Sequence, residues 1–246
     1  MDSSANINSD VINFKQYLIA NKSLYADVLQ KLEIISNKAN NHLKSLLTKD
    51  NRIDNDLLEV YQFQTHGYAW FETYRFGLRE TLNWFLNLSE SGQASEIDAS
   101  ITIFAFSEYL LQMKNGIMMS QSEIIRPNDL GINDEDFKFI EDPSIAELLE
   151  TGLSAKIKNV IVDSLDKGIH ASLGLNDETL DMIQDQFKKF TEEEILPHAN
   201  EWHLKDDLIP DETLKKMADL GVFSIAIPES YGGLGMGKVA MCVVTE

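Results

Sequence analysis

Hydrophobic residues recur every three or four positions along most of the chain, and this spacing predicts helices rather than strands. The first clear stripe covers residues 25–46, in a helix that we expect Ser23 to cap. A short helix is expected before it, over residues 11–18, and the polar residues 1–10 are expected to fray. Residues 48–55 have the composition of a polar turn.

Aromatic side chains dominate the next predicted helix, over residues 56–88. Aromatic residues at helical spacing usually belong to a hydrophobic core, and a cofactor wall is the rarer alternative. Gly67 and Gly77 interrupt this pattern, and we expect them to mark places where helices pack closely. A further helix is predicted over residues 97–124, ended by Pro127, because proline disfavours helical geometry in the residue before it.

Residues 128–143 form an acidic connector, and Pro143 suits the first turn of a helix whose apolar face continues to about residue 169. The polar, glycine-containing stretch 172–176 then breaks the pattern. We therefore expect two domains, a helical N-terminal extension over residues 1–172 and a second domain over residues 173–246.

The second domain begins with a helix that Asn176 is expected to cap and that Pro197 should bend or end near Ile195. A helix follows from Pro210 to Gly221, since glycine favours the left-handed conformation that ends helices. A short apolar run, a glycine-rich loop over residues 231–237 and a further helix complete the chain. With no repeat and no hairpin pattern, the predicted class is all-α, with helix packed on helix.

The net charge of the chain limits the classes of molecule that it is expected to bind. Forty acidic and 21 basic residues give a formal charge of −19, which disfavours nucleic acid and anionic membrane surfaces. No apolar run approaches the roughly 18–20 residues of a membrane span. Cys242 is the single cysteine, so an intramolecular disulfide is excluded and a reducing, cytoplasmic location is expected.

Two sequence patterns suggest binding chemistry, although a structural interpretation is favoured for each. Residues 232–238 have the spacing of a phosphate-binding loop, but Val239 stands where the magnesium ligand should be and no strand comes directly before. A flexible turn between helices is the favoured alternative. Four potential metal ligands lie close together in sequence, but a proline interrupts their helix and solvent-exposed side chains are favoured: Glu194, His198, Glu201 and His203.

Catalytic groups are equally hard to find. Cys242 lies in an apolar run, and we expect a buried, unreactive thiol. His66, Glu108 and Arg126 could meet across helices, but separately satisfied packing groups are the favoured interpretation. No catalytic residue and no metal ligand is therefore assigned.

Four segments together resemble the beginning of the N-terminal α-domain of acyl-CoA dehydrogenases. They are 187–198 (FKKFTEEEILPH), 214–223 (LKKMADLGVF), 227–235 (IPESYGGLG) and 240–246 (AMCVVTE). Three earlier segments are similar to a helical extension that precedes this domain in one subgroup of large acyl-CoA dehydrogenases. They are 64–70 (QTHGYAW), 108–112 (EYLLQ) and 119–126 (MSQSEIIR).

The resemblance implies α,β-dehydrogenation of an acyl-CoA thioester, with FAD as cofactor and an electron-transfer flavoprotein as partner. It also implies that Tyr231, Gly232 and Gly233 form a loop near the substrate cavity. In the family, the flavin-binding strands and the catalytic carboxylate come later in the sequence than any segment matched here. The expectation is an N-terminal fragment that binds no cofactor and is inactive alone. The alternative is a helical module without enzymatic activity that serves interaction or assembly. A homo-oligomer is one form that such an assembly could take.

Overall fold

The computed structural model describes residues 13–245, and the chain divides after Gly174 into two units. Each unit is built almost entirely from helices, which confirms the all-α class. The elements of the first unit are α1 (Phe14–Ala20), α2 (Lys22–Leu47), β1 (Thr48–Lys49), β2 (Arg52–Ile53), α3 (Asn55–Val60), α4 (Gln62–Glu90), α5 (Glu96–Asn115), β3 (Ile117–Met118), β4 (Ile124–Ile125), α6 (Pro143–Leu153) and α7 (Ala155–Asp166). Those of the second unit are α8 (Glu178–Phe190), α9 (Leu196–Lys205), α10 (Asp211–Asp219) and α11 (Gly237–Thr245).

Helix α5 is the centre of the first unit, because α1, α4, α6 and α7 all pack against it. Its apolar residues Ile103, Phe106 and Leu110 are fully buried. Even its small polar residues lie inside, and Ser100, Thr102 and Ser107 each donate a hydrogen bond to a carbonyl of the preceding turn. Because this helix is surrounded by protein on nearly all sides, its polar side chains need hydrogen-bond partners within the protein.

Helices α5 and α6 approach each other closely at Gly152. A Cβ atom on Gly152 would lie 2.0 Å from Ser107 Oγ and 2.7 Å from the carbonyl oxygen of Ile103. The Ser107 hydroxyl also lies 3.2 Å from the carbonyl oxygen of Leu148, so it links the two helices. Only glycine permits this spacing.

A buried carboxylate at the start of α5 holds the end of the first unit in place. Asp98 accepts hydrogen bonds at one oxygen from the backbone N–H and the hydroxyl of Ser95, at 2.8 and 2.6 Å. Its other oxygen accepts from the Ser172 N–H at 3.0 Å, and Trp84 Nε1 donates to the Ser172 carbonyl at 2.9 Å. The segment before Gly174 is thus fixed to α5 through the N–H of Ser172 and to α4 through the carbonyl of the same residue.

Several predicted helices of the first unit are shorter than expected. The predicted 56–88 helix breaks at Tyr61, and the predicted 97–124 helix ends at Asn115, because Gly116 adopts a φ of 137°. The apolar stretch up to residue 169 is divided at Ser154, whose hydroxyl caps α7. Pro143 does occupy the first turn of α6, as predicted. Apolar periodicity continues across these breaks, so it does not reveal where the backbone changes direction.

Other local predictions were wrong for identifiable reasons. Ser23 lies inside α2, because α2 follows α1 almost directly through Asn21. The predicted polar turn and the end of the predicted 97–124 helix instead contain two short hairpins, β1–β2 and β3–β4. Asp50 and Asn51 both adopt positive φ, which is typical of a tight two-residue hairpin turn. The predictions for residues 1–10 lie outside the described residues, as does the beginning of the predicted 11–18 helix.

The second unit begins with a helix that continues past its proline. Asp177, not Asn176, caps α8 by accepting from the N–H groups of Thr179 and Leu180. Residues Thr191–Ile195 form a π-helical turn, and α9 then includes Pro197. Proline lacks an N–H and clashes with the carbonyl four residues earlier in an α-helix, so the wider turn accommodates it without ending the helix.

Within the described residues, no helix has both the length and the apolar composition needed to cross a membrane.

Candidate functional site

The glycine-rich loop of the second unit is the candidate site carried over from the sequence. The backbone makes a 3-10 turn at Val222–Ser224 and another at Glu229–Tyr231 before it reaches α11. Three backbone hydrogen bonds tie the two sides together: Leu234 N–H to the Ser224 carbonyl at 2.9 Å, Gly235 N–H to the Ile227 carbonyl at 2.8 Å, and Met236 N–H to the Ile225 carbonyl at 2.9 Å. The loop is therefore an ordered unit rather than a flexible turn.

Two glycines of this loop are required by the backbone. Gly232 follows the second 3-10 turn with a φ of 82°, a region that side chains rarely adopt. A Cβ atom on Gly233 would lie 2.1 Å from the carbonyl oxygen of Ile227 and 2.4 Å from its Cβ atom. Gly232 allows the reversal of direction, and Gly233 allows the two sides to come into contact.

Tyr231 is placed at the tip of this loop with 84% of its surface exposed. A phenol in this position can offer an aromatic face and a hydroxyl that donates or accepts a hydrogen bond. The neighbouring Ile227 and Leu234 are also partly exposed, at 43% and 47%. The loop thus presents two partly exposed apolar side chains beside an exposed phenol.

Two surface cavities lie beside α8. The first, of about 320 Å³, is bounded by α8, the π-helical turn and α11, and its apolar part is formed by Phe187, Val243 and Val244. The second, of about 350 Å³, lies between the α8 end and α10, and contains Phe190, Lys216 and Asp219. Each offers one aromatic ring among charged and amide side chains. Neither presents the long apolar slot or the row of backbone donors that an isoalloxazine and a diphosphate need, so these residues do not fit a flavin site.

The four potential metal ligands of the sequence do not assemble. Glu194 accepts a hydrogen bond from Lys216 Nζ at 2.7 Å, and this bond raises the pKa of Lys216 above its usual range. The His198 ring stacks on Trp202 with centroids 5.6 Å apart, and Glu201 pairs with Lys205. Over residues 13–245, no group of three His, Cys, Asp or Glu side chains is placed to hold a metal ion.

Among the described residues, no hydrogen bond or ion pair joins His66, Glu108 and Arg126 to one another, and the other candidates lack the expected context. No strand precedes the glycine-rich loop in residues 175–245, so the phosphate-loop spacing of 232–238 lacks its structural context. His66 accepts a hydrogen bond from Trp70 Nε1 at 3.0 Å on its own helix, and Arg126 begins a 3-10 turn. Cys242 was expected to be buried but is exposed, because it lies on the side of α11 opposite the buried Ala240 and Val243.

Known proteins resemble both units of the chain. Residues 177–246 match the family described as acyl-CoA dehydrogenase, N-terminal domain. The (2S)-methylsuccinyl-CoA dehydrogenase of Cereibacter sphaeroides is 36% identical over 230 residues, which cover 91% of this chain and 41% of that protein. The chain belongs to the acyl-CoA dehydrogenase family.

Other members of the family match over a shorter length. The glutaryl-CoA dehydrogenase of Desulfococcus multivorans is 38% identical over 69 residues, 27% of this chain and 18% of that protein. The isovaleryl-CoA dehydrogenase of Oryza sativa subsp. japonica is 31% identical over 87 residues, 34% of this chain and 21% of that protein. The chain thus spans less than half of the length of each of these relatives.

Proposed function

We propose that this chain supplies the helical N-terminal part of a FAD-dependent acyl-CoA dehydrogenase that acts on a short, branched dicarboxylic acyl-CoA of the methylsuccinyl type. The observation that supports this substrate class is the length of one match. The methylsuccinyl-CoA dehydrogenase is similar over 230 residues, which must include most of the first unit. The glutaryl-CoA and isovaleryl-CoA dehydrogenases share 69 and 87 residues.

The proposed reaction removes a proton from Cα and a hydride from Cβ of the thioester, which leaves a conjugated double bond. Bound FAD supplies the hydride acceptor, and an electron-transfer flavoprotein is the proposed oxidant of the reduced cofactor. No residue from 13 to 245 is proposed as the base, because in the family the catalytic carboxylate comes later in the sequence than any segment matched here. We also propose that the chain alone binds no FAD.

The role proposed for the second unit is to line the mouth of the substrate cavity. The Tyr231–Gly233 loop suits this role because its backbone is fixed by hydrogen bonds while Tyr231 remains exposed. A preformed loop loses little conformational entropy when a ligand contacts it, which favours binding. No metal ion enters this proposal.

A chimeric enzyme tests the proposal. This chain would replace the matching 230 residues of the Cereibacter sphaeroides relative, and the purified chimera would be assayed with an artificial electron acceptor. We expect a yellow, FAD-containing protein that oxidises (2S)-methylsuccinyl-CoA faster than glutaryl-CoA or isovaleryl-CoA. The isolated chain, assayed in parallel, should be colourless and inactive.

Two results would count against the proposal. A folded, FAD-loaded chimera with no activity on any of the three thioesters would refute the assignment of the chain to this reaction. A preference for isovaleryl-CoA would refute the substrate class alone.

A Tyr231→Ala chimera tests the role of the loop. It should keep its flavin and lose affinity for the thioester, which is measured as a raised KM. Unchanged kinetics would show that the loop does not contact the substrate.

A further inference from the structure

The segment that connects the two units has no helix or strand. It consists of residues 169–174, which we call the strap. The strap begins where α7 ends, at a turn in which Gly168 has a φ of 70° and the Ile169 N–H donates to the Ser164 carbonyl at 2.8 Å. Helix α8 of the second unit begins soon after the strap, with Asp177 as its cap. A connector without secondary structure between two compact units usually acts as a tether over its whole length.

Ser172 prevents the strap from doing so, because both of its backbone groups are bound to the first unit. Its N–H donates to Asp98 Oδ1 at 3.0 Å, and its carbonyl accepts from Trp84 Nε1 at 2.9 Å. Asp98 is fully buried and also forms a capping box with Ser95, so its carboxylate is held in place independently of the strap. With Ser172 bound, only residues 173–176 lie between the first unit and the cap of α8.

Gly174 brings the strap into close contact with α4. Its φ is 64°, and a Cβ atom here would lie 3.1 Å from Trp84 Cδ1 and Nε1 and 3.2 Å from Leu88 Cδ2. A side chain at this position would therefore be strained and would also push the strap away from the indole ring. Gly77, where close packing was predicted, is different: a Cβ atom there would meet nothing within 4 Å, so that prediction was wrong.

The contacts that hold the strap lie outside the hydrophobic core. The buried residues of the core cluster run from Phe14 to Ile157, whereas none of residues 169–174 is fully buried. Segments with few buried apolar contacts open locally at a lower free energy than the core around them. Release of the strap therefore requires the loss of the two Ser172 hydrogen bonds and of the Gly174 contact, but not the unfolding of the first unit.

We propose that the strap is a conformational device that sets how far apart the two units can move. When the strap is closed, residues 173–176 can span at most about 14 Å, and when it is open, residues 169–176 can span about 28 Å. A shorter connection raises the effective concentration of one unit beside the other, so closure favours any contact that requires both. The proposal does not depend on the proposed enzymatic function.

Hydrogen exchange followed by mass spectrometry tests local opening with four variants of the chain. Trp84→Phe removes the indole N–H but keeps a ring, and Gly174→Ala adds the Cβ atom that the contact excludes. Ser95→Ala is the matched control for the Asp98 carboxylate, because it removes the capping hydroxyl and leaves the Asp98 bond to Ser172. Gly77→Ala is the control for an added methyl group. Circular dichroism establishes that each variant is folded.

We expect peptides that contain Ser172 to exchange about 5–10-fold faster in Trp84→Phe and Gly174→Ala, while peptides from the middle of α5 keep their rates. Both controls should leave the exchange of the strap unchanged. Equal acceleration in the strap and in α5 would refute local opening, since the two would then unfold together. Unchanged strap exchange in both Trp84→Phe and Gly174→Ala would show that the proposed contacts do not hold it.

Distances between spin labels test the effect on the two units. One label is attached to Cys242, which is exposed in the second unit, and the other to Ile34→Cys on α2, where the native side chain is 65% exposed. Labelled chains are diluted with unlabelled chains, so that each measured distance lies within one molecule. Pulsed electron paramagnetic resonance then gives the distribution of distances.

In Trp84→Phe and Gly174→Ala, we expect the upper limit of this distribution to increase by up to about 14 Å, the difference between the open and closed reach. Ser95→Ala and Gly77→Ala should keep the distribution of the otherwise unmodified chain. An upper limit that stays the same in both strap variants would refute the proposal, because other contacts would then set the separation of the units. An equal increase in the controls would also refute it.

Discussion

The hydroxyl of Tyr25 offers the sharpest test of how the first unit is held together. Tyr25 is completely buried, and its ring meets Phe106 edge-on with centroids 4.9 Å apart. No atom within the described residues forms a hydrogen bond with its hydroxyl. Burial, and then the proximity of Tyr17, raise the pKa of Tyr25 far above its usual range, so the hydroxyl remains protonated and lacks an acceptor.

Tyr25→Phe should therefore stabilise the protein. Leaving a polar group buried without a partner costs about 1–3 kcal/mol, and phenylalanine removes that cost while keeping the ring contact. After allowance for the small void left by the oxygen, we expect the free energy of unfolding to rise by about 1 kcal/mol. For a protein of this size, the melting temperature should rise by about 2–4 °C.

Urea denaturation followed by circular dichroism measures the change, and Tyr74→Phe is the matched control. The Tyr74 hydroxyl donates to Gln112 at 3.0 Å, so its removal should lower the free energy of unfolding by about 0.5–1.5 kcal/mol. The two substitutions delete the same atom and should have opposite signs. A Tyr25→Phe protein that is less stable by about 1 kcal/mol would show that the hydroxyl is bonded, for instance to a buried water, and would refute the reasoning.

Four further substitutions test other parts of the first unit. Gly152→Ala should lower the free energy of unfolding by about 2 kcal/mol or more, because its Cβ atom would overlap the facing helix, whereas Gly77→Ala should raise it by about 0.5–1 kcal/mol in urea titrations. Burial raises the pKa of Glu72, but hydrogen bonds from Arg75 and Ser36 outweigh it and hold that pKa below its usual range. The folded state then binds fewer protons than the unfolded state. The stability that ionised Glu72 contributes is therefore fully present above about pH 4.3, and it is lost as the pH falls through the lower pKa that Glu72 has in the folded state. Glu72→Gln should accordingly cost about 1 kcal/mol at pH 7 and almost nothing near pH 3. Asp98→Asn should cost about 2–3 kcal/mol and release the segment before Gly174, measured as faster tryptic cleavage after Lys167.

Each of these expectations has a clear contrary result. Equal destabilisation by Gly152→Ala and Gly77→Ala would mean that helix spacing does not matter at Gly152. A pH-independent effect of Glu72→Gln would show that the pKa of Glu72 is the same in both states. Unchanged cleavage after Lys167 in Asp98→Asn would mean that other contacts hold that segment.

Local patterns in the sequence were sufficient for most of the helices and for part of the candidate site. Most members of the apolar stripe of α2 are buried as the periodicity predicts, including Tyr25, Val28 and Leu32. Gly221 adopts the left-handed conformation at the end of α10. The segments that resemble acyl-CoA dehydrogenases led to the family. Each of these features depends on residues near one another in the chain, so a short window of sequence contains the necessary information.

The helix breaks and the exposure of particular side chains depended on contacts between residues that are too far apart to fall within one short window of sequence. Gly116 ends α5 because the chain must turn into a hairpin whose Ile125 packs against Gly67 of α4. Cys242 is exposed because only one side of α11 contacts α8. A continuous apolar run in the sequence does not indicate which side of the helix will face its neighbour. The rigidity of the Tyr231 loop likewise comes from its pairing with residues 224–227.

The sequence by itself determined that the chain is mainly helical and to which family it belongs, since periodicity and motif are local properties of the polypeptide. Only the tertiary structure decided which glycine has a neighbour and which has none, which carboxylate is buried, and which hydroxyl lacks a partner. The physical reason is that these outcomes depend on distances between residues far apart in the chain, and such distances are set when the helices pack around α5.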